Sequence, residues 1–453
     1  MASHFAGPNH LTGQRVYGIL AGGGQLPLEI ADSLRGRGAK VHIVAFRNEA
    51  DADFSKFSVT WVSWGQVGAI LRGFNNAQCT DLVIVGRVSR PDLGRLRPDF
   101  GLLAALPSAL RIVAAGGDDS VLRGVTKFFE GKGFRVVGPG EVAPQLLIEQ
   151  GVLGKNAPTA QDDAVIAYGL RLLEALSPFD VGQTVVISDE LQVEAIEGIE
   201  GTDGMLSRVA KQRGVDALST SGAGANGFLI KAPKRGQDMR VDLPAIGPDT
   251  IKNAAEAKLT GLALHAGHVL AADKKALIAE ADTHGISVIG VQIVESGASN
   301  CTHPHNTTGQ TTPKKLGRVK LNRSFLADVM RGAQILNAVQ GFATGGGVVV
   351  TRGHVLGLET GEGVSALCQR IALRRQWGRG LWNRRRGVVV LRRTSDVTFD
   401  VITDIAEAGF AGFAILHAGS TVPLSNELLQ TTDAAGLGVC VVNVANLADE
   451  AEE

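Results

Sequence analysis

The sequence lacks any excess of charge of one sign. Its 453 residues include 45 lysines and arginines and 45 aspartates and glutamates, so the formal net charge at pH 7 is zero. A general nucleic-acid binder needs a clear basic excess, because its cations must neutralise phosphates. The charge balance therefore argues against that class of protein.

Cysteines and long apolar runs are also scarce. The four cysteines, Cys79, Cys301, Cys368 and Cys440, are scattered and share no metal-ligand spacing, which is typical of a reducing compartment and not of a disulfide framework. No window holds about 18 uninterrupted apolar residues, the length that a membrane-spanning helix requires. Residues 1–14 are polar and mixed, so we interpret them as a disordered leader and not as a signal peptide. These features predict a cytoplasmic protein.

Short apolar runs alternate with segments of helical periodicity from residue 15 onward. A strand at residues 16–20, a glycine-rich turn and a helix that begins near Pro27 open this pattern. Strands that alternate with helices predict parallel pairing in an open, doubly wound sheet. The sequence therefore predicts an α/β fold, with a Rossmann-like domain over residues 15–151 and a second α/β domain over residues 152–294.

The last part of the chain repeats the second domain. Residues 295–323 have the polar composition of a linker, and after them the patterns of the second domain return in the same order. Five segments of the second domain have counterparts later in the chain. In order, they are residues 163–176, 185–187, 197–201, 227–230 and 264–267, which correspond to residues 328–339, 348–350, 359–363, 387–390 and 416–419. This repetition predicts that residues 324–453 are an altered copy of the second domain.

The first candidate site is the glycine-rich turn of Gly22, Gly23, Gly24 and Gln25. Between a strand and a helix, such a turn leaves backbone N–H groups to face an anion, and the helix N-terminus adds partial positive charge. A dinucleotide fingerprint would need a third glycine where Pro27 stands, so binding of a nicotinamide cofactor is disfavoured. A tight turn without a ligand is the alternative.

Two further polar blocks lie in the first domain. Ser89 and Arg90 follow a buried strand, where open α/β sheets collect ligands, and they could hold a phosphate or a sugar. An ordinary turn is the alternative there. Asp118 and Asp119 open a helix, where acids either complement the helix dipole or supply carboxylate ligands to a divalent cation.

The second domain carries a polar helix start and a cationic loop. Thr202 and Asp203 fit helix-cap chemistry, and the glutamates before them could point into a cleft. The loop combines three cations and one acid between two prolines: Lys231, Lys234, Arg240 and Asp242. This combination predicts a phosphate clamp whose carboxylate holds a metal or steers water. A surface loop of salt bridges is the alternative.

Taken in this order, the polar blocks resemble one family. They are GILAGGGQLP (residues 18–27), GRVSRPD (86–92), GDDSVLR (117–123), EGTDGML (200–206), and KAPK followed by RVDLPAIG (231–247). Over about residues 15–293 the sequence resembles the LpxI-type UDP-2,3-diacylglucosamine pyrophosphatases of lipid A biosynthesis. The resemblance implies a Rossmann-like N-terminal domain, a distinct C-terminal domain, substrate held between them, and a homodimer.

The resemblance also implies an activity and a set of site residues. Members hydrolyse the diphosphate of UDP-2,3-diacylglucosamine with a divalent metal, Mg²⁺ or Mn²⁺, to UMP and 2,3-diacylglucosamine 1-phosphate. By motif, the resemblance implies that Asp242 is the catalytic residue. It also implies that Asp242, Asp118 and Asp119 are the metal ligands. The implied substrate-binding residues are Gly22, Gly23, Gly24, Gln25, Ser89 and Arg90 from the first domain, and Thr202, Asp203, Lys231, Lys234 and Arg240 from the second. The acyl chains of the substrate imply peripheral membrane contact.

The fused copy keeps a competing hypothesis open. It retains Glu359 and Glu362 but has Val364 where the first copy has Thr202, and it has no equivalent of Asp242. We therefore expect the copy to keep its fold, to lose its site, and to pack as a pseudo-partner in place of a second subunit. A non-catalytic lipid-binding, nucleotide-binding or regulatory protein derived from this family is the alternative.

Overall fold

The computed structural model describes residues 15–88, 99–101, 118–219, 226–293, 313–374, 385–417 and 424–443. The predicted site residues Ser89 and Arg90 lie outside these ranges, and for Asp118 and Asp119 only the backbone is described. The chain forms two compact units. The first comprises Met1–Gly154, Gly236–Ile251 and Leu264–Thr283, and the second comprises Lys155–Arg235, Lys252–Ala263 and His284–Glu453.

Strands and helices alternate along the described chain. The strands are β1 (Val16–Ala21), β2 (Lys40–Phe46), β3 (Ser58–Val62), β4 (Asp81–Val85), β5 (Arg135–Val136), β6 (Gly151–Leu153), β7 (Thr184–Ser188), β8 (Val193–Ile196), β9 (Gly227–Lys231), β10 (Ala245–Ile246), β11 (Gly261–His265), β12 (Leu270–Ala271), β13 (Ser287–Val291), β14 (Lys314–Lys315), β15 (Gly347–Thr351), β16 (His354–Leu358), β17 (Val388–Leu391), β18 (Gly412–His417) and β19 (Gly438–Asn443). The helices are α1 (Leu26–Gly36), α2 (Val67–Asn76), α3 (Asp118–Glu130), α4 (Pro139–Val142), α5 (Ala160–Leu176), α6 (Gly201–Ser219), α7 (Pro248–Glu256), α8 (Lys274–His284), α9 (Arg323–Ala338), α10 (Val364–Arg374), α11 (Phe399–Glu407) and α12 (Asn426–Ala434). No described helix combines the length and the apolar character that crossing a bilayer requires.

The first unit contains a parallel sheet in the order β3-β2-β1-β4-β5. Both faces of this sheet are covered, as is usual for parallel strands. Alternate side chains of β1 serve opposite faces: Ile19 packs with Leu34 of α1, and Leu20 packs with Phe74 of α2. Strand order reverses between β1 and β4, which is where ligands bind in open α/β sheets. The predicted Rossmann-like N-terminal domain is confirmed.

The second unit contains two sheets of the same design. The first runs β13-β11-β9-β7-β8, and the second runs β19-β18-β17-β15-β16, strand for strand. In each, the hairpin of the outer two strands is antiparallel and carries a register shift. The strand after the hairpin also pairs antiparallel in each sheet. The predicted duplication of an α/β domain is therefore confirmed, and β14, within the stretch interpreted as a linker, pairs with β19.

The two copies share one hydrophobic core. Helix α5 packs on β7 and β9, helix α9 packs on β15 and β17, and the two helices contact each other. A single cluster accordingly includes Leu172 of α5 and Leu336 of α9. At its edge the Tyr168 hydroxyl accepts a hydrogen bond from the Ala343 amide at 2.9 Å. The copies are thus packed on each other and not merely joined end to end.

The backbone at Gly22, after β1, lies close to the backbone at Gly86 and Arg87, after β4, and a substitution of Gly22 tests this contact. A Cβ at this position would lie 2.3 Å from the carbonyl oxygen of Arg87 and 2.8 Å from the backbone of Gly86. Because backbone cannot move aside as a side chain can, we expect Gly22→Ala to lower the free energy of unfolding by about 1–3 kcal/mol. Urea unfolding followed by circular dichroism measures this loss.

Gly36, at the end of α1, supplies the matched control. No atom lies within 4 Å of a Cβ added there, so Gly36→Ala is expected to leave the unfolding midpoint unchanged or to raise it slightly. Equal effects of the two substitutions would contradict the account of the turn.

Candidate functional site

The glycine-rich turn lies at the point where strand order reverses. It meets the segment after β4 through a bridge between Gly23 and Arg87, so the structure brings the first two sequence blocks together. Three of its amides donate to protein oxygens: Gly22 to the Val85 carbonyl (2.9 Å), Gly23 to the Arg87 carbonyl (2.7 Å) and Gly24 to the Asp51 carboxylate (2.7 Å). The tight-turn alternative accounts for these contacts. Anion binding by the turn stays a prediction.

Asp242 packs with the first unit. Val241 contacts the hydrophobic cluster on one face of the N-terminal sheet and Leu243 contacts the cluster on the other. The Asp242 amide donates to the carbonyl oxygen of Asp238 at 2.9 Å. These contacts hold the backbone of Asp242 in place. Arg240 and Asp242 lie in the segment Gly236–Ile251, which belongs to the first compact unit because it packs with the N-terminal sheet.

Arg240 links the fifth sequence block to the last residue of α3. Its guanidinium donates to both carboxylate oxygens of Asp238, at 2.9 and 2.8 Å, and to Glu130 of α3 at 2.7 Å. The Arg240 hydrogen bond is the main cause of a lowered pKa of Asp238. Helix α3, which begins at Asp118, therefore contacts the turn that carries Asp242. Arg240 itself is engaged in salt bridges, as the salt-bridge-loop alternative describes.

The predicted metal ligands are carboxylates, the donors that Mg²⁺ and Mn²⁺ prefer. Of the three, only Asp242 has a described side chain. Among the side chains that the structure describes, no group of three or more His, Cys, Asp or Glu residues could hold a metal ion. Metal binding therefore stays a prediction.

A buried polar cluster occupies the end of β9 in the second unit. Lys231 is only 4% exposed, and its ammonium group donates to the hydroxyls of Thr202, at 2.7 Å, and Thr184, at 3.3 Å. Both hydroxyls donate in turn to the carboxylate of Glu197, at 2.8 and 2.7 Å. The two predicted residues Lys231 and Thr202 are thus brought together, and Glu197 fixes their orientation.

Glu197 is ionised in this cluster. Burial acts to raise its pKa, but the charge of Lys231 and the hydrogen bonds from Thr184, Thr202 and the Gln183 amide outweigh burial and hold the pKa below its ordinary value. The ammonium and the carboxylate therefore form a compensated buried pair, the condition under which buried charges are tolerated.

The remaining predicted residues of this unit lie nearer the surface. Asp203 accepts a hydrogen bond from the side-chain amide of Asn253 at 3.2 Å. Lys234 forms an ion pair with Asp180 at 2.7 Å. Neither residue contacts the Lys231 cluster through a described hydrogen bond.

Comparison with known proteins identifies both kinds of domain. The family model of the LpxI N-terminal domain matches residues 16–146, and that of the LpxI C-terminal domain matches twice, at residues 149–289 and 312–440. The chain belongs to the LpxI family. The UDP-2,3-diacylglucosamine pyrophosphatase LpxI of Caulobacter vibrioides is 38% identical over 277 residues, which are 61% of this chain and 98% of that protein. The predicted resemblance, with its additional C-terminal domain copy, is confirmed.

The second LpxI C-terminal domain has lost the polar cluster. Thr184 pairs with Lys231 across β7 and β9, whereas Gly347 pairs with Leu391 at the equivalent point of β15 and β17. Val364 begins the helix that is equivalent to the one carrying Thr202. Threonine, threonine and lysine have thus become glycine, valine and leucine.

Glu359, the counterpart of Glu197, has different partners. Its carboxylate accepts hydrogen bonds from the amides of Gly346, Gly361 and Gly363, at 2.5, 2.6 and 3.1 Å. The carboxylate therefore ties its own loop together instead of orienting a lysine. A cavity of about 780 Å³ lies beside this loop.

Sequence reasoning missed part of the site. Thr184 was not singled out, although a threonine at the start of an otherwise apolar strand is a usable signal of a buried hydroxyl. His265 and His268 stack at 4.1 Å between ring centroids in the first unit; His265 lies in the repeated segment 264–267, and His268 was not singled out. Burial, and then His268, lower the pKa of His265 to about 4, so the His265 ring is neutral at pH 7.

Removing the Lys231 charge tests the buried pair. We expect Lys231→Met to lower the free energy of unfolding by about 3–5 kcal/mol, because it leaves the Glu197 carboxylate buried without compensation. The double variant Glu197→Gln/Lys231→Met is expected to recover part of that loss. Urea unfolding of Lys231→Met, Glu197→Gln and the double variant measures the coupling, and strictly additive effects would contradict the pairing.

The pH dependence of stability tests the charge state of Glu197. Its pKa is lowered in the folded protein from an ordinary value of 4.5, so its carboxylate stabilises the fold above that pH, and the contribution is lost as the pH falls through the folded-state pKa. Relative to Glu197→Gln, the stability advantage of the natural protein is expected to be constant near pH 7 and to shrink below about pH 4.5. Thermal unfolding across pH 3–7 measures it; an advantage that grows in acid would contradict the assignment.

Proposed function

We propose that this protein hydrolyses the diphosphate of UDP-2,3-diacylglucosamine to UMP and 2,3-diacylglucosamine 1-phosphate in lipid A biosynthesis. One observation carries the proposal: one LpxI N-terminal domain and one C-terminal domain follow each other over residues 16–289, and the alignment of this chain with the Caulobacter pyrophosphatase spans 98% of that protein. The first C-terminal copy also keeps the Lys231 cluster that the second copy has lost. Because the second copy keeps its fold without these residues, the fold alone does not require the Lys231 cluster, and its presence in the first copy supports a role in function.

Hydrolysis adds one water across the P–O–P bridge. The water oxygen bonds to one phosphorus, the bridging P–O bond breaks, and the protons of the water leave as the two monoester products ionise. Negative charge grows on phosphoryl oxygens, and fixed cations and N–H or O–H donors stabilise it. We assign this role to Lys231 and Thr202, held in orientation by Glu197.

Lys234 and Arg240 fit contacts with the outer parts of the substrate. Both now pair with carboxylates, at 21% and 42% side-chain exposure respectively. Ion pairs this close to solvent contribute only about 0–1 kcal/mol. A phosphate can therefore replace the carboxylate partner at small cost.

A divalent cation, Mg²⁺ or Mn²⁺, completes the proposal. Asp242, with Asp118 and Asp119, would hold it through carboxylate oxygens. When bound, such an ion neutralises phosphate charge as a Lewis acid. The diacyl substrate further implies contact with the cytoplasmic face of a membrane, which the protein would make peripherally.

The assay is UMP release from UDP-2,3-diacylglucosamine in detergent with Mg²⁺ or Mn²⁺. We expect Asp242→Asn to lower kcat by at least about 100-fold, the scale of a lost acid–base or metal-holding group, and a chelator to abolish turnover. Asp32→Asn, an exposed aspartate of the same unit whose partner is Arg35, is the control and should be fully active. Equal activity of the two variants would contradict the assignment of Asp242 as the catalytic residue and a metal ligand.

Tight substrate binding without UMP release by the unmodified chain would favour the alternative, a non-catalytic lipid- or nucleotide-binding protein. The observation behind this alternative is that one C-terminal copy has already lost its cluster while keeping its fold.

A further inference from the structure

Four charged side chains form a closed network between the two C-terminal copies. Arg208 binds Glu200 of its own copy at 3.1 Å and Glu362 of the other at 3.4 Å. Arg370 binds Glu362 of its own copy at 2.5 Å and Glu200 of the other at 2.9 Å. All four side chains are between 4% and 13% exposed. The network is buried and its charges balance.

The network follows a two-fold relation between the copies. Glu200 and Arg208 stand eight residues apart, as do Glu362 and Arg370. Arg208 also donates to the carbonyl oxygen that ends β8, and Arg370 to the carbonyl oxygen that ends β16. Each copy thus presents the same surface to the other, which is the geometry of an isologous interface.

The network lies on the loop that carries the polar cluster of the first copy. Residues 197–202 run from Glu197, through Glu200, to Thr202. The second copy touches the same loop twice more: the Ile199 amide donates to the Leu356 carbonyl at 3.2 Å, and a Cβ on Gly198 would lie 2.7 Å from that oxygen. Arg370 and Leu356 therefore fix the loop from outside.

Divergence between the copies has been selective. The second copy has glycine, valine and leucine in place of the three residues around Glu197, but it keeps both members of the charge network. Buried ion pairs are a poor source of net stability, since well-packed apolar residues do as well. The second copy keeps the ion pairs of Glu362 and Arg370 although it lacks the polar cluster. This combination indicates that these ion pairs have a function other than stabilising the fold.

We propose that Arg370 of the second copy is a positioning residue for the loop 197–202 of the first, so that the second copy serves as a built-in brace for the substrate site. The proposal rests on the proposed function, because it assigns that loop to the substrate. Arg370 acts through Glu200 and does not touch substrate.

The test compares the full-length chain with a charge-balanced double variant, Glu362→Gln/Arg370→Met. This variant leaves Glu200 paired with Arg208, so no buried charge is uncompensated, and we expect folding to be preserved. We expect kcat/KM for UMP release to fall by about 10–100-fold, the usual effect of removing a group that orients a site residue. We also expect faster hydrogen–deuterium exchange in residues 197–206 at an unchanged melting temperature.

Tyr168→Phe is the matched control. It removes a hydrogen bond between the same two copies, the one from the Ala343 amide, without touching the loop. It is expected to leave both exchange in the loop and kcat/KM at the values of the natural protein.

Three outcomes overturn the proposal: unchanged exchange in the loop, faster exchange with undiminished turnover, or a loss of activity that tracks a lower melting temperature and recurs in Tyr168→Phe. If the natural chain itself releases no UMP, the proposed function fails, while the exchange comparison still decides whether Arg370 fixes the loop.

Discussion

Two carboxylates and two guanidinium groups, buried between the C-terminal copies, constrain the rest of the second unit. Removing one member of such a set leaves an uncompensated buried charge and costs about 3–5 kcal/mol. The four charges balance only when Glu200, Arg208, Glu362 and Arg370 meet, which fixes the register of one copy against the other. The shared hydrophobic core of α5 and α9 stabilises the association of the two copies but does less to fix their relative orientation, because apolar contacts are non-directional.

The two copies have divided the properties of one domain. The first keeps a lysine whose charge is balanced and oriented by Glu197, at the start of a helix and the end of a strand. The second keeps the fold, the strand order and the interface, and fills the equivalent positions with Gly347 and Leu391. An extra domain that only extended the chain would need no such interface. Its retained surface agrees with a domain that supports its neighbour.

Local pattern predicted the fold well and the site in part. Strand β1 and the start of helix α1 lie within one residue of their predicted positions, since the apolar run and the proline that mark them are local signals. Strand β3 has no comparable signal, because SVTWV carries polar and exposed residues at the edge of the sheet. Lys231 was predicted as a residue of a phosphate clamp. Its burial was not predicted, because the spacing of residues in a sequence does not show which side chains are buried. The pairing of Arg208 with Glu362 spans 154 residues, and only tertiary packing can bring such residues together.

If only the first copy holds substrate, one chain binds one substrate molecule. The most direct measurement is the stoichiometry of UDP-2,3-diacylglucosamine binding to the Asp242→Asn variant, by isothermal titration calorimetry in detergent with Mg²⁺. One equivalent per chain is the predicted result, and Lys231→Met added to the same variant should abolish the binding. Two equivalents per chain would contradict the division of roles between the copies.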